Sequence, residues 1–206
     1  MDATTSAAAS RREALERRAR WLAWATIAYN LAEGAVAIAA GVAAGSIALI
    51  SFGGDSLVEC LSAVVILWQF HGVPEDRERR ALRLIGLAFF ALAAYVTAES
   101  LRTLATGADA DPSPVGIALA AVSLVVMPLL SWLKRRTGRE LGSRAVVADS
   151  VQTLLCTYLS AALLGGLLLN ALWGWSWADP VAALVVAAVA AREGREAWRG
   201  EACECD

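Results

Sequence analysis

Asp55 and Glu59 lie four residues apart inside 45–68, a stretch otherwise apolar enough to cross a bilayer. Positions i and i+4 share one face of a helix, so both carboxylates can meet a single ligand. On insertion scales a charged side chain at the centre of a span costs about 2.5–3.5 kcal/mol, while a Leu or Val returns only about 0.3–0.6 kcal/mol. Neither acid has a basic partner within its own span, and the chemistry that accounts for the pair is metal ligation. Two other apolar stretches also present oxygen-rich faces: Asn30 and Glu33 three apart, and Asp149, Gln152 and Thr153 with Cys156 one turn further on. Intramembrane ionisable groups normally face a protein interior and mark an ion or proton path.

The remaining polar residues have plainer readings. Asn30 suits an interhelical hydrogen bond at least as well as ligation. Glu33 suits direct ligation or a proton relay beside the metal. Glu99, three residues before Arg102, reads as an interfacial ion pair. Cys60 and Cys156 read first as small buried hydrophobes. His71, the single histidine, reads as a loop residue.

The elements that must position these groups follow from composition. Of the 206 residues, 58% are hydrophobic, the profile of a helical membrane protein. Apolar segments fall at about 21–41, 46–70, 81–104, 114–133, 144–170 and 178–191, each near the roughly 20 residues that a ~30 Å hydrocarbon core demands of a helix. The first is too long for a signal sequence, whose apolar region runs about 7–15 residues. The prediction is an all-α, polytopic membrane protein: a six-helix transmembrane bundle over 21–192, between a cytoplasmic segment at 1–20 and a short cytoplasmic tail at 193–206. The Ala-, Ser- and Thr-rich residues 1–10 are expected to lack fixed structure.

Basic residues set the orientation. Five Arg precede the first span, Arg77, Arg79, Arg80 and Arg83 follow the second, Lys134, Arg135, Arg136, Arg139 and Arg144 are read as the loop after the fourth, and Arg192, Arg195 and Arg199 end the sixth. The positive-inside rule places all of these, and both termini, in the cytoplasm. Trp21, Trp24, Trp68, Trp132, Trp173, Trp175 and Trp177 cluster at span ends, as interfacial indoles do. Gly41 with Gly45, and the Gly165-Gly166 pair, are expected to let helices approach closely. Nothing in the charge pattern suits nucleic acid, and the cysteine spacing does not describe a disulfide framework.

The segment from Ser46 to Glu59, with its small residues leading to Asp55 and a second carboxylate four later, resembles the second-span motif of the cation diffusion facilitators. Ala148 to Thr153 is similar to that family's fifth-span motif, with Asp149 in the first place and Thr153 where a second acid is usual; Asp179-Pro180 resembles the opening of its sixth span. The resemblance covers all six spans. It is nearest to a short branch similar to transmembrane protein 163, since little chain follows the sixth span and the usual cytoplasmic ferredoxin-like domain is not expected. Dimerisation is then expected through membrane helices.

The resemblance implies a metal quartet of Asp55, Glu59, Asp149 and Thr153, with Asn30, Glu33, Gln152 and Cys156 as accessory candidates. It also implies a divalent cation, Zn²⁺ first, as transported substrate rather than cofactor, exchanged for protons across the cell membrane. The quartet has no histidine, and an all-oxygen set also suits Mn²⁺ or other hard ions. Counted from the outer helix ends at ~1.5 Å per residue, Asp55/Glu59 lie about 16 Å deep and Asp149/Thr153 about 28 Å deep, so a tilt, a bend at Gly165-Gly166 or a projecting fifth helix is needed to bring them together.

In the tail, Cys203 and Cys205 flank Glu204 and suit capture of soft metal ions; the same composition also describes an acidic end with no ligand role. An enzyme is not expected, because no nucleophile and base are paired. A non-transporting scaffold or metal-binding membrane protein is the alternative, with Thr153 in an acid's place as its best argument.

Overall fold

The computed structural model describes residues 3–69 and 75–199, and these form six α-helices. They are α1 (Ala3–Ala44), α2 (Ile47–Gln69), α3 (Glu75–Thr106), α4 (Pro114–Leu141), α5 (Arg144–Trp173) and α6 (Ala178–Arg199). No strand occurs among the described residues, and four of the helices are by themselves long and apolar enough to cross a membrane. The protein is a multi-pass helical membrane protein, as its apolar segments predict.

α2 lies at the centre of the bundle, packed against α1, α3, α5 and α6. α4 lies along α5 and α1, and α3 along α6. The core is a slab of Phe52, Leu49, Val96, Leu159, Leu163, Leu167 and Val186, whereas Trp21, Val125, Leu129 and Leu172 face outward. Outward-facing apolar side chains need no cover in lipid, so the helices are held by close packing and interhelical polar contacts. Glycines make the tightest crossings. A Cβ on Gly53 would come within 2.9 Å of the Gly34 carbonyl oxygen in α1, and one on Gly86 within 2.9 Å of the Gly194 carbonyl oxygen in α6. Gly41 and Gly166 likewise face neighbouring helices. Gly45 and Gly165 do not: Gly45 takes φ 65° in the α1–α2 turn, where left-handed backbone is needed, and Gly165 faces open space.

Two stretches differ from expectation. Helix α1 starts at Ala3 rather than after residue 10, because its Ala-rich beginning is a good helix former and continues the helix behind it. The basic run 134–141 is helix, not loop: Lys and Arg also favour helix, and α4 continues to Leu141 before Gly142, at φ 68°, reverses the chain. Ser143 then caps α5 by accepting from the Val146 N–H.

The end of the bundle where α2 and α6 begin is tied by polar contacts. Ser46 donates to Asp179 Oδ1 at 2.5 Å, and the Ala48 N–H donates to Asp179 Oδ2 at 3.2 Å, so the acid opening α6 caps the start of α2. The Asp111 N–H donates to the Ala44 carbonyl, and Asn170 to the Ala110 carbonyl. At this end Trp175 stacks on Trp177, and Trp173 lies tilted against Trp175.

The α1–α2 crossing makes a direct prediction. Gly53→Ala is expected to cost about 1–3 kcal/mol by overpacking, read as a lowered thermal midpoint of the purified protein in detergent; Gly165→Ala, whose methyl meets open space, is expected to leave the midpoint unreduced.

Candidate cation site

Asp55 and Glu59 are buried, 6% and 1% exposed, on the face that α2 turns toward α5. The Thr153 hydroxyl of α5 donates to Glu59 Oε1 at 2.8 Å. Cys156 Sγ, one turn along, lies 2.8 Å from Glu59 Oε2 and 3.4 Å from Asp55 Oδ2. One face of α5 therefore reaches both carboxylates of α2. Cys156 is a free thiol in a polar position rather than hydrophobic filling.

Asp149, one turn before Thr153, faces a different partner. Its Oδ2 is 2.8 Å from Lys134 Nζ of α4, and the same ammonium donates to Thr153 Oγ1 at 2.8 Å. Lys134 and Asp149 are 1% and 4% exposed at their side chains. The structure thus brings Asp55, Glu59, Thr153 and Cys156 into direct contact, and joins Asp149 to them through Lys134. In this arrangement no group of three or more His, Cys, Asp or Glu among the described residues is disposed to hold a metal ion. The donors instead face one another, Cys156 meeting both carboxylates of α2 and Thr153 meeting Glu59 and Lys134.

The predicted depth offset disappears because α5 projects beyond α2. Gly166 of α5 packs against Ala178 and Ala182 of α6, and the neighbouring Asp179 holds Ser46 and Ala48 of α2, so these positions share a level. From there Thr153 and Glu59 both lie about 17–20 Å along their helices at 1.5 Å per residue. The rest of α5, to Trp173, extends past that level.

The other candidates are dispersed. Glu33 of α1 is buried and accepts from Ser56 of α2 at 2.9 Å, one residue from Asp55 but on its own polar contact. Asn30 is fully buried, and neither of its amide atoms has a hydrogen-bond partner among the described residues. Gln152 is half-buried on α5. Cys60 is buried, its thiol 3.6 Å from the Ile27 carbonyl oxygen, and Glu99 pairs with Arg102 at 3.3 Å. His71, Cys203 and Cys205 lie outside the described residues.

Lys134 is the residue that sequence reasoning missed. The signal was its register: the buried positions of α4 run Gly116, Ala120, Ser123, Met127, Ser131, Lys134, at the three- and four-residue steps of one helix face. Ser131, on the same stripe, donates to the Ser150 carbonyl at 2.6 Å and fixes α4 against α5 beside the site.

Comparison with known proteins agrees with this architecture. The cation efflux transmembrane domain matches residues 84–199. The chain is 28% identical over 181 residues to the uncharacterized transporter sll1263 of Synechocystis sp., covering 82% of this chain and 58% of that protein. It is 29% identical over 154 residues to the cation-efflux pump FieF of Shewanella oneidensis (69% and 52%), and 22% identical over 143 residues to transmembrane protein 163 of Xenopus laevis (68% and 51%). The chain spans somewhat over half the length of these relatives. As the matched domain takes in more than half of the chain, with the apolar part of α3 and all of α4, α5 and α6, the chain belongs to the cation efflux family.

Proposed function

We propose that the protein transports divalent metal cations across the cell membrane, with Zn²⁺ as substrate leaving the cytoplasm in exchange for protons, and that Asp55, Glu59, Asp149 and Thr153 receive the ion. The observation that carries this reading is the convergence of α5 on the two intramembrane carboxylates of α2, through Thr153 and Cys156. Family membership, and a relative named as a cation-efflux pump, support transport as the outcome of that convergence. A homodimer formed through membrane helices belongs to the same reading.

The donor chemistry favours Zn²⁺ over a harder ion. Carboxylate and hydroxyl oxygens alone suit Mn²⁺ as well, but the Cys156 thiol touches both carboxylates, and thiolate is a soft ligand that zinc takes readily. Proton exchange follows from the same groups. A metal ion binds thiolate and carboxylate, so protons held by the empty site leave as it arrives and return when it departs.

Three measurements test this. In proteoliposomes, Asp55→Ala is expected to abolish Zn²⁺ flux; wild-type flux in this variant would reject the site. Collapsing the pH gradient with a proton/potassium exchanger is expected to stop net uphill Zn²⁺ movement, and unaffected accumulation would count against proton coupling alone. Cys156→Ser is expected to weaken Zn²⁺ binding about ten-fold or more relative to Mn²⁺, read by equilibrium binding to the purified protein.

A further inference from the structure

Lys134 is the single lysine of the chain; every other basic residue except His71 is arginine. It lies among the groups proposed to receive the substrate. Its ammonium contacts Asp149 and Thr153, two of the four proposed ligands, at 2.8 Å each, with its side chain 1% exposed. The second oxygen of Asp149, Oδ1, is buried and has no hydrogen-bond partner among the described residues. An arginine fork would engage both carboxylate oxygens, whereas an ammonium is a point charge that takes one and leaves the other open.

Charge and reach both bear on its role. Asp55, Glu59 and Asp149 carry three negative charges when ionised, and the ammonium offsets one of them while no metal ion is bound. The ammonium and a metal ion would draw on the same Asp149 and Thr153 oxygens, which cannot serve two cations at once. Position 134 lies near the basic end of α4, next to Arg135 and one turn from Gly138, and a lysine stem is long enough to carry its charge from a buried contact toward an aqueous boundary.

We propose that Lys134 is a tethered cation: its ammonium fills the Asp149–Thr153 half of the site while the site is empty, and a divalent ion must displace it to bind. This rests on the reading of these residues as the substrate site. Lys134 then sets affinity, holding the site weak enough to release its ion.

The test uses the full chain in detergent, labelled with ¹⁵N at the lysine side chain, and Zn²⁺ alone as the probe. The chain gives one side-chain amine signal. Zn²⁺ binding is expected to move it to the position of a solvated ammonium, and Lys134→Met is expected to bind Zn²⁺ about ten-fold more tightly or better, a change of 1.4 kcal/mol or more, while Lys134→Arg does not. Should Lys134→Met not fold, Lys134→Gln, which keeps a donor to Asp149, carries the same expectation. Zn²⁺ binding with an unmoved signal, or neutral variants that bind no more tightly than wild type, would overturn the tethered cation and leave the transport reading standing. If neither wild type nor the neutral variants bind Zn²⁺, both fall.

Discussion

A carboxylate inside a membrane bundle has little water to solvate it, so a donor must come from the protein, a proton or a cation. Here the donors come from neighbouring helices. Glu33 of α1 is met by Ser56 of α2, Asp55 and Glu59 of α2 by Cys156 and Thr153 of α5, Asp149 of α5 by Lys134 of α4, and Asp179 of α6 by Ser46 and the start of α2. Each acid therefore joins two parts of the bundle as well as carrying its own charge. Because apolar burial drives little association in lipid, these pairs and the glycine crossings fix how the helices sit against one another.

The same pairs bring the candidate site together. α2 and α5 meet on Glu59, while α4 and α5 meet on Asp149, so Thr153 lies where the two sets join. Its hydroxyl donates to one carboxylate and accepts from the ammonium that holds the other. A carboxylate at position 153 would accept from Lys134 but could not donate to Glu59 while ionised. A threonine in an acid's place thus suits a candidate site that contains a lysine, because its one hydroxyl serves both Glu59 and Lys134.

The six helices were legible because a membrane span is a long, simple pattern of apolar residues bounded by charge. Asp55, Glu59, Asp149 and Thr153 were legible because polar residues are rare there and stand out at helical spacing. Lys134 was hidden by its neighbours: within a run of arginines, it looked like one more interfacial charge, and only the stripe of small and polar residues before it along α4 showed that it turned inward. The apparent mismatch in depth arose from treating outer helix ends as level. The tie between Asp179 and Ser46, across a sequence separation of 133, fixes the true level and could not be read from either segment alone.

That tie also has a mechanical meaning. Ser46 and Asp179 join the first turn of α2 to the first turn of α6, while the contacts of Asp111 and Asn170 hold the α3–α4 connection to the ends of α1 and α5. This end of the bundle is thus stitched across α1, α2, α5, α6 and the α3–α4 connection, and Asp55 and Glu59 lie about two and a half and three and a half turns along α2 from the Ser46–Asp179 stitch. Any movement that swung α2 away from α6 at that end would begin by unfastening this clasp, and α2 would lose its helix cap in the same event.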